Sequence, residues 1–269
     1  MPSPTSLANK LIWITGASSG IGETLAEECA RRGARVALSA RRPEALSLLV
    51  DRINSSLPSG SAPRARAYPV DVASTDSVRT AVAAIEAEMG PIDIMIANAG
   101  INQYVSLSSF SADAFLTVMN TNYGGLLRCI EAVLPNMRAR GHGRIAGVAS
   151  LAGFRGLPTS GAYGSSKSAM IHFLESIRFQ LEPVGIGVTI INPGFVKTPM
   201  TDTNDFKMPF LMTRENAAIC IANGLERGAK EISFPWFFSR VMKAMRILPF
   251  PLYEWMTKVV WARMDHGKE

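Results

Sequence analysis

Short apolar, β-branched runs alternate with longer segments of helical period up to Thr198. The runs are Leu11–Thr15, Val36–Ser39, Tyr68–Asp71, Ile92–Ile96, Arg144–Val148 and Val188–Ile191. Most are nearly continuous in apolar character, as strands covered on both faces are. Between them, Gly22–Arg32, Ser74–Met89 and Tyr163–Leu181 repeat apolar residues at the spacing of an amphipathic helix. This alternation predicts a doubly wound α/β fold, a parallel sheet of about seven strands with helices on both faces. Asn54–Arg66 has turn composition and predicts a long connection. Beyond Thr198 the alternation stops, one last strand is expected at Glu231–Phe234, and an aromatic-rich tail follows.

At 269 residues the chain fits one large domain. Hydrophobic residues at 47% against 19% charged ones supply a core and exclude a disordered chain. The net charge of +6 is spread without a basic block, which argues against nucleic-acid binding. Cys29, Cys129 and Cys220 are odd in number and far apart, as expected of a reduced, cytoplasmic setting without disulfides. The first residues lack the basic and apolar regions of a secretory signal. No apolar run reaches the ~18 residues of a spanning helix, although contact with a membrane surface stays open. Three scattered histidines (His142, His172, His266) and no cysteine cluster give no metal-ligand spacing, so no metal is expected.

Candidate chemistry begins at Thr15-Gly16-Ala17-Ser18-Ser19-Gly20-Ile21-Gly22, directly after the first strand and opening the first helix. Glycines there let the backbone turn tightly beside a pyrophosphate, whose charge rests on the helix N-terminus. Gly16–Gly20 also matches the G-x-S-x-G turn of α/β-hydrolases. That reading needs an acid and then a histidine, and none of the three histidines is well placed.

Tyr163 and Lys167 stand four residues apart at the start of a helix, hence on one face. A free tyrosine titrates at about 10, and a neighbouring ammonium would lower that value towards neutrality. Ser150 follows the strand Arg144–Val148, at the sheet edge where ligands of such folds bind. A hydroxyl there can bond a substrate oxygen as charge builds on it.

With these motifs in order, residues 8–200 resemble the short-chain dehydrogenase/reductase family and its Rossmann-type fold. The resemblance implies that Gly16, Ser18, Ser19, Gly20, Ile21 and Gly22 hold a nicotinamide dinucleotide, with Asp71 and Val72 at its adenine. Asn98-Ala99-Gly100 resembles the family's N-A-G motif, and Asn122 the helix asparagine beside a proton-relay water. Ser150, Tyr163 and Lys167 match the catalytic trio at its spacing of thirteen and four. Pro193, Gly194, Val196 and Thr198 resemble the segment that fixes the nicotinamide. The implied reaction interconverts a carbonyl and a secondary alcohol. Tyr163 exchanges the proton, Ser150 orients the oxygen, and Lys167 tunes Tyr163 and bonds the ribose.

No acid ends the second strand; Ala40, Arg41 and Arg42 stand there, which favours NADP(H) over NAD, with Arg41 ahead of Arg42. The lid at about 195–230 contains Phe206, Met208, Phe210, Leu211 and Met212, which suits an apolar substrate or simply packs the lid onto the core. A domain of residues 1–235 is followed by an extension, 236–269. Its first helix, Phe237–Leu248, is expected to put Arg240, Lys243 and Arg246 on one side. Phe237, Phe238, Val241, Met242, Met245 and Leu248 fall on the other. A second segment gathers Leu252, Tyr253, Trp255, Met256, Val259 and Val260, with Arg263 intruding and Trp261 nearby. Such a tail either packs on protein or lies on a membrane. The helix Tyr163–Leu181 is the expected surface for a homodimer, as in relatives. A rival reading is a non-catalytic NADP-binding sensor or membrane-peripheral protein of the same fold.

Overall fold

The computed structural model describes residues 6–103, 110–202 and 208–263, with side chains up to Val259. Seven strands form the sheet: β1 (Leu11–Thr15), β2 (Arg35–Ser39), β3 (Ala65–Ala67), β4 (Ile94–Ala97), β5 (Gly143–Val148), β6 (Ile186–Pro193) and β7 (Glu231–Phe234). They pair in parallel in the order β3-β2-β1-β4-β5-β6-β7, so the order reverses between β1 and β4. The chain leaves both strands there at their carboxyl ends, the crevice where such sheets bind ligands.

Continuous apolar strands serve two cores at once. Leu11 and Trp13 of β1 join the core under α3 (Thr75–Met89), α5 (Gly125–Arg140) and α6 (Gly161–Leu181). Ile12 and Ile14 join the one under α1 (Gly20–Arg31), α2 (Pro43–Ser55) and α7 (Arg214–Glu226). Trp13 keeps its indole N–H satisfied on the Ser39 hydroxyl at 2.9 Å. Helix α4 (Ala112–Met119) runs through a π-helical turn, Asn120–Gly124, into α5.

Two sequence expectations shift. The third strand is Ala65–Ala67 rather than Tyr68–Asp71. Tyr68 and Val70, both buried, still donate to the Leu38 and Ala40 carbonyls, so this segment runs on beside β2 as extended chain past the strand, with Pro69 facing out from the sheet edge. The expected loop at Asn54 starts later, because α2 continues to Ser55. The Asn54 amide then accepts from the Arg64 and Ala65 N–H groups, both at 3.0 Å, and stitches the connection to β3.

The tail forms α8 (Trp236–Ile247) and α9 (Phe250–Arg263). The expected division of α8 into a basic and an apolar side is corrected. Ser239 and Met242 are buried and Phe238 and Met245 half-buried, whereas Trp236, Phe237, Val241 and Ile247 face outward with Arg240 and Lys243. Tyr253 of α9 is buried under the Arg155 guanidinium, 4.4 Å from its ring centroid. Leu252 and Trp255 are exposed. The expected roles of Phe206 and His266, and of the Val260, Trp261 and Arg263 side chains, lie outside the described residues. No helix among the described residues is long and apolar enough to cross a membrane.

Candidate active site

The glycine turn is built around close approaches that no side chain would allow. Gly16 has φ +68°, and a Cβ there would stand 2.7 Å from the Ala99 Cα. One on Gly22 would strike the Gly16 carbonyl and come within 2.5 Å of the Asn98 amide nitrogen. The turn after β1 and the Asn98-Ala99-Gly100 segment after β4 are therefore one packed unit. Thr15 fastens it: its hydroxyl accepts from the Asn98 and Ala99 N–H groups, each at 3.1 Å. The Asn98 amide donates to the Thr15 and Gly16 carbonyls at 3.0 and 3.1 Å. Ser19 stands at the N-cap of α1, whose first-turn N–H groups and macrodipole favour an anion.

Around this turn lie the other expected cofactor residues. Thr198 packs on Gly20, whose Cβ would stand 3.2 Å from the Thr198 methyl. This joins the segment after β6 to the glycine turn. Gly194 donates to the Phe234 carbonyl at 2.7 Å, and Val196 bridges to Met212. Pro193 is buried at the end of β6, and Ile21 is half-buried at the start of α1. Asp71 is exposed and caps its own turn, accepting from the Ala73 N–H at 3.0 Å, while Val72 beside it is buried. Arg42 reaches the Ser18 hydroxyl at 3.2 Å, and Arg41 stands exposed before it. These residues fit a nicotinamide dinucleotide: a cradle that only glycine permits, a helix N-terminus for the pyrophosphate, and guanidinium groups beyond it.

Ser150, Tyr163, Lys167 and Asn122 converge at the carboxyl edge of β5. The Ser150 hydroxyl accepts from the Ala152 N–H at 3.1 Å and donates to the Pro193 carbonyl at 3.4 Å. The Tyr163 hydroxyl lies close to that of Ser150. Burial holds the Tyr163 phenol above its ordinary range, with the Ser150 hydrogen bond pulling partly back. Here burial outweighs the expected lowering of that phenol by Lys167. Lys167 Nζ is turned to the Val148 carbonyl at 2.8 Å, and it lies 5.5 Å from the centroid of the Tyr163 ring. Burial brings the Lys167 ammonium itself down to about 8.

Asn122 sits inside the π-helical turn, where the wider ring alters the backbone hydrogen bonding. Its side chain is fully committed: Oδ1 accepts from the Ile101 N–H at 2.8 Å. Nδ2 donates to the Ile101 carbonyl at 3.0 Å and the Ser166 hydroxyl at 2.9 Å. Ser166 donates in turn to the Tyr163 carbonyl at 2.7 Å. A Cβ on Gly100 would stand 3.1 Å from Asn122 Oδ1 and 3.4 Å from Lys167 Nζ, so the asparagine and the lysine share one pocket wall.

Sequence reasoning passed over Ser166 and read Thr15 only as the first residue of the glycine turn, with no role of its own. Ser166 lies three residues after Tyr163, on a neighbouring part of the helix face. Thr15 is the one hydroxyl ending an otherwise apolar strand. Each was legible as a small polar residue where the pattern called for an apolar one.

The short chain dehydrogenase family model matches residues 10–208. An oxidoreductase of Myxococcus xanthus is 38% identical over 241 residues, covering 90% of this chain and 93% of that protein. The 11-beta-hydroxysteroid dehydrogenase-like 4A protein of Arabidopsis thaliana is 34% identical over 236 residues, 84% of this chain and 76% of its own. A short chain dehydrogenase from Burkholderia cenocepacia, solved in complex with NADP, superposes with a TM-score of 0.78 at 25% identity, covering 93% of this chain and 98% of that one. Together with the sheet order and the packed glycine turn, these matches make the chain a member of the short-chain dehydrogenase/reductase family, an oxidoreductase of the kind that works with a nicotinamide cofactor.

Proposed function

We propose that the protein reduces the carbonyl group of a lipophilic substrate to a secondary alcohol with NADPH, and catalyses the reverse oxidation when conditions favour it. The observation that carries this reading is the convergence of Ser150, Tyr163 and Lys167 at the carboxyl edge of β5, beside the packed glycine turn. Bound NADPH supplies the hydride. Tyr163 gives its proton to the substrate oxygen, and Ser150 holds that oxygen by a hydrogen bond as negative charge develops. The Lys167 ammonium stabilises the phenolate left behind and bonds the ribose. The proton is replaced from solvent by way of Lys167 and the backbone at Asn122.

NADP(H) is favoured by the absence of an acid after β2 and by the Arg42–Ser18 bond, which ranks Arg42 ahead of Arg41. A ribose 2′-phosphate would take the guanidinium from Ser18 or share it. Gly16, Ser19, Gly20, Ile21 and Gly22 hold the pyrophosphate, and Asp71, Val72 and the segment Asn98–Gly100 hold the adenosine half. Pro193, Gly194, Val196 and Thr198 seat the nicotinamide. The apolar substrate reading rests on Phe195, Phe210 and Phe238, whose rings stack beside the mouth at 5.7 to 6.0 Å. The lid ends before α7, because Ala217, Ala218 and Ile221 of that helix are core residues. In the same reading the enzyme is cytoplasmic, and it pairs through α6, where Phe179 is 80% exposed.

NADPH oxidation across ketones and aldehydes graded in chain length and ring size tests this. Rates that climb with apolar size support it. Tight NADPH binding with no turnover across the series would overturn it in favour of the sensor.

A further inference from the structure

The outward side of α8 has a composition that suits neither water nor a protein partner. Trp236 is 68% exposed and Ile247 83%, and Phe237 and Val241 flank them. Trp236, Arg240, Lys243 and Ile247 follow one another at helical spacing, so the two cations lie within the apolar stripe. The stripe does not end with the helix. Phe237 meets Phe210 of the lid at 5.6 Å, and Leu211 and Met200 are exposed beyond it. On the other side it runs into Phe250, Leu252 and Trp255 of α9, all exposed. The opposite side of α8 is already seated, through Met242 and Phe238, on the sheet domain.

We infer that this surface docks the protein on an anionic lipid membrane, with the substrate mouth against the bilayer. Charge decides between the candidate occupants. Residues 236–263 carry five basic side chains and one acid, although Lys243, Arg246 and Lys258 are paired with Glu231, Glu175 and Glu254. Arg240 has no acidic partner among the described residues, and its guanidinium lies 5.2 Å from the centroid of the Trp236 ring. A protein interface loses charge from its centre, and a two-fold self-contact here would bring like cations together. At a membrane the same arrangement is favourable. Tryptophan rings and aliphatic side chains enter the headgroup boundary, while Arg240 extends to the lipid phosphates. Continuity with Phe210 and Leu211 then gives an apolar molecule a route from bilayer to site without crossing water.

The inference is independent of the substrate, because binding is read without turnover. The full chain is sedimented with vesicles of phosphatidylcholine alone and of phosphatidylcholine containing one third phosphatidylserine. It should pellet with the anionic vesicles, less with the neutral ones, and less again as salt rises. Trp236→Glu and Ile247→Glu change exposed residues outside the reaction site, so melting and ketone reduction in detergent-free buffer should be unaltered. Anionic-vesicle affinity should fall about tenfold or more in each. An intact chain that stays in the supernatant overturns the inference, as do variants that bind as well as the parent. A dimer that either substitution dissociates would instead assign the patch to a second copy.

Discussion

In the proposed reaction Tyr163 gives the proton, and its half-buried phenol is held above the ordinary range by burial. Replacing it by phenylalanine removes only the hydroxyl. Reduction should fall about 10²- to 10⁴-fold in kcat/KM, the usual worth of a positioned acid, while NADPH still quenches or enhances fluorescence as before. The neighbouring lysine sets the pH window. Lys167 is lowered to about 8, so it is charged and costly below that pH and sheds the cost as pH rises towards the unfolded value of 10.5. Reduction should therefore decline above about pH 8, where the cation that stabilises the phenolate is lost, while fold stability rises over the same range. Lys167→Met should lose that alkaline limb together with most activity, without a lower melting temperature at pH 7. Cofactor choice belongs to this scale too. Each charge-assisted bond is worth about 1.5–3 kcal/mol, so Arg42→Ala should weaken NADPH about 10- to 100-fold and leave NADH nearly unchanged in titration.

At the scale of elements, the glycine turn and the Asn98–Gly100 segment form a single piece whose parts lie far apart in sequence. Gly22→Ala forces its new methyl onto the Gly16 carbonyl and the Asn98 amide, backbone and a tied side chain that cannot retreat. A loss of about 1–3 kcal/mol is expected, with a smaller gain in melting temperature on adding NADPH than the parent shows. The turn was legible because glycine spacing reports backbone geometry directly. β1 and the order of elements were legible because short continuous apolar runs alternating with helical segments read as strands covered on both faces. The displacement of β3 was not. Tyr68–Asp71 has the apolar pattern and lies beside β2 through Tyr68 and Val70, yet the regular pairing falls on Ala65–Ala67, where an exposed Arg66 between two alanines leaves no apolar run to read. Asn122 was legible as a position through the resemblance. The partner Ser166 depends on packing between the π-helical turn and α6 that no local pattern records. The tuning of Tyr163 was misjudged for the same reason. Sequence spacing puts the ammonium on its face of the helix, but only the fold shows burial outweighing it.

For the whole molecule, the question is how a tail beyond the last strand bears on chemistry at β5. Phe238 of α8 stacks on Phe195 at 6.0 Å and on Phe210 at 5.7 Å, so the first tail helix props the segment that follows β6. The same helix is held from below: Arg155, in the loop between Ser150 and Tyr163, donates to the Arg246 carbonyl at 3.0 Å and covers Tyr253. The tail therefore touches both the segment that follows β6 and the loop that leads to Tyr163. Truncating Phe238 to alanine leaves these ties in place but removes the ring between Phe195 and Phe210. Phe238 is half-buried, so its stability cost should stay below the about 3–5 kcal/mol of a fully buried phenylalanine. Its cost to selectivity should be larger than its cost to rate. Small ketones, which need only Ser150, Tyr163 and Lys167, should keep kcat/KM within a few-fold, whereas large apolar ketones should lose about tenfold through a higher KM as the wall that binds them loosens. Equal losses for small and large substrates would place the effect on the catalytic trio instead, and would mean that the tail supports the chemistry and not the pocket.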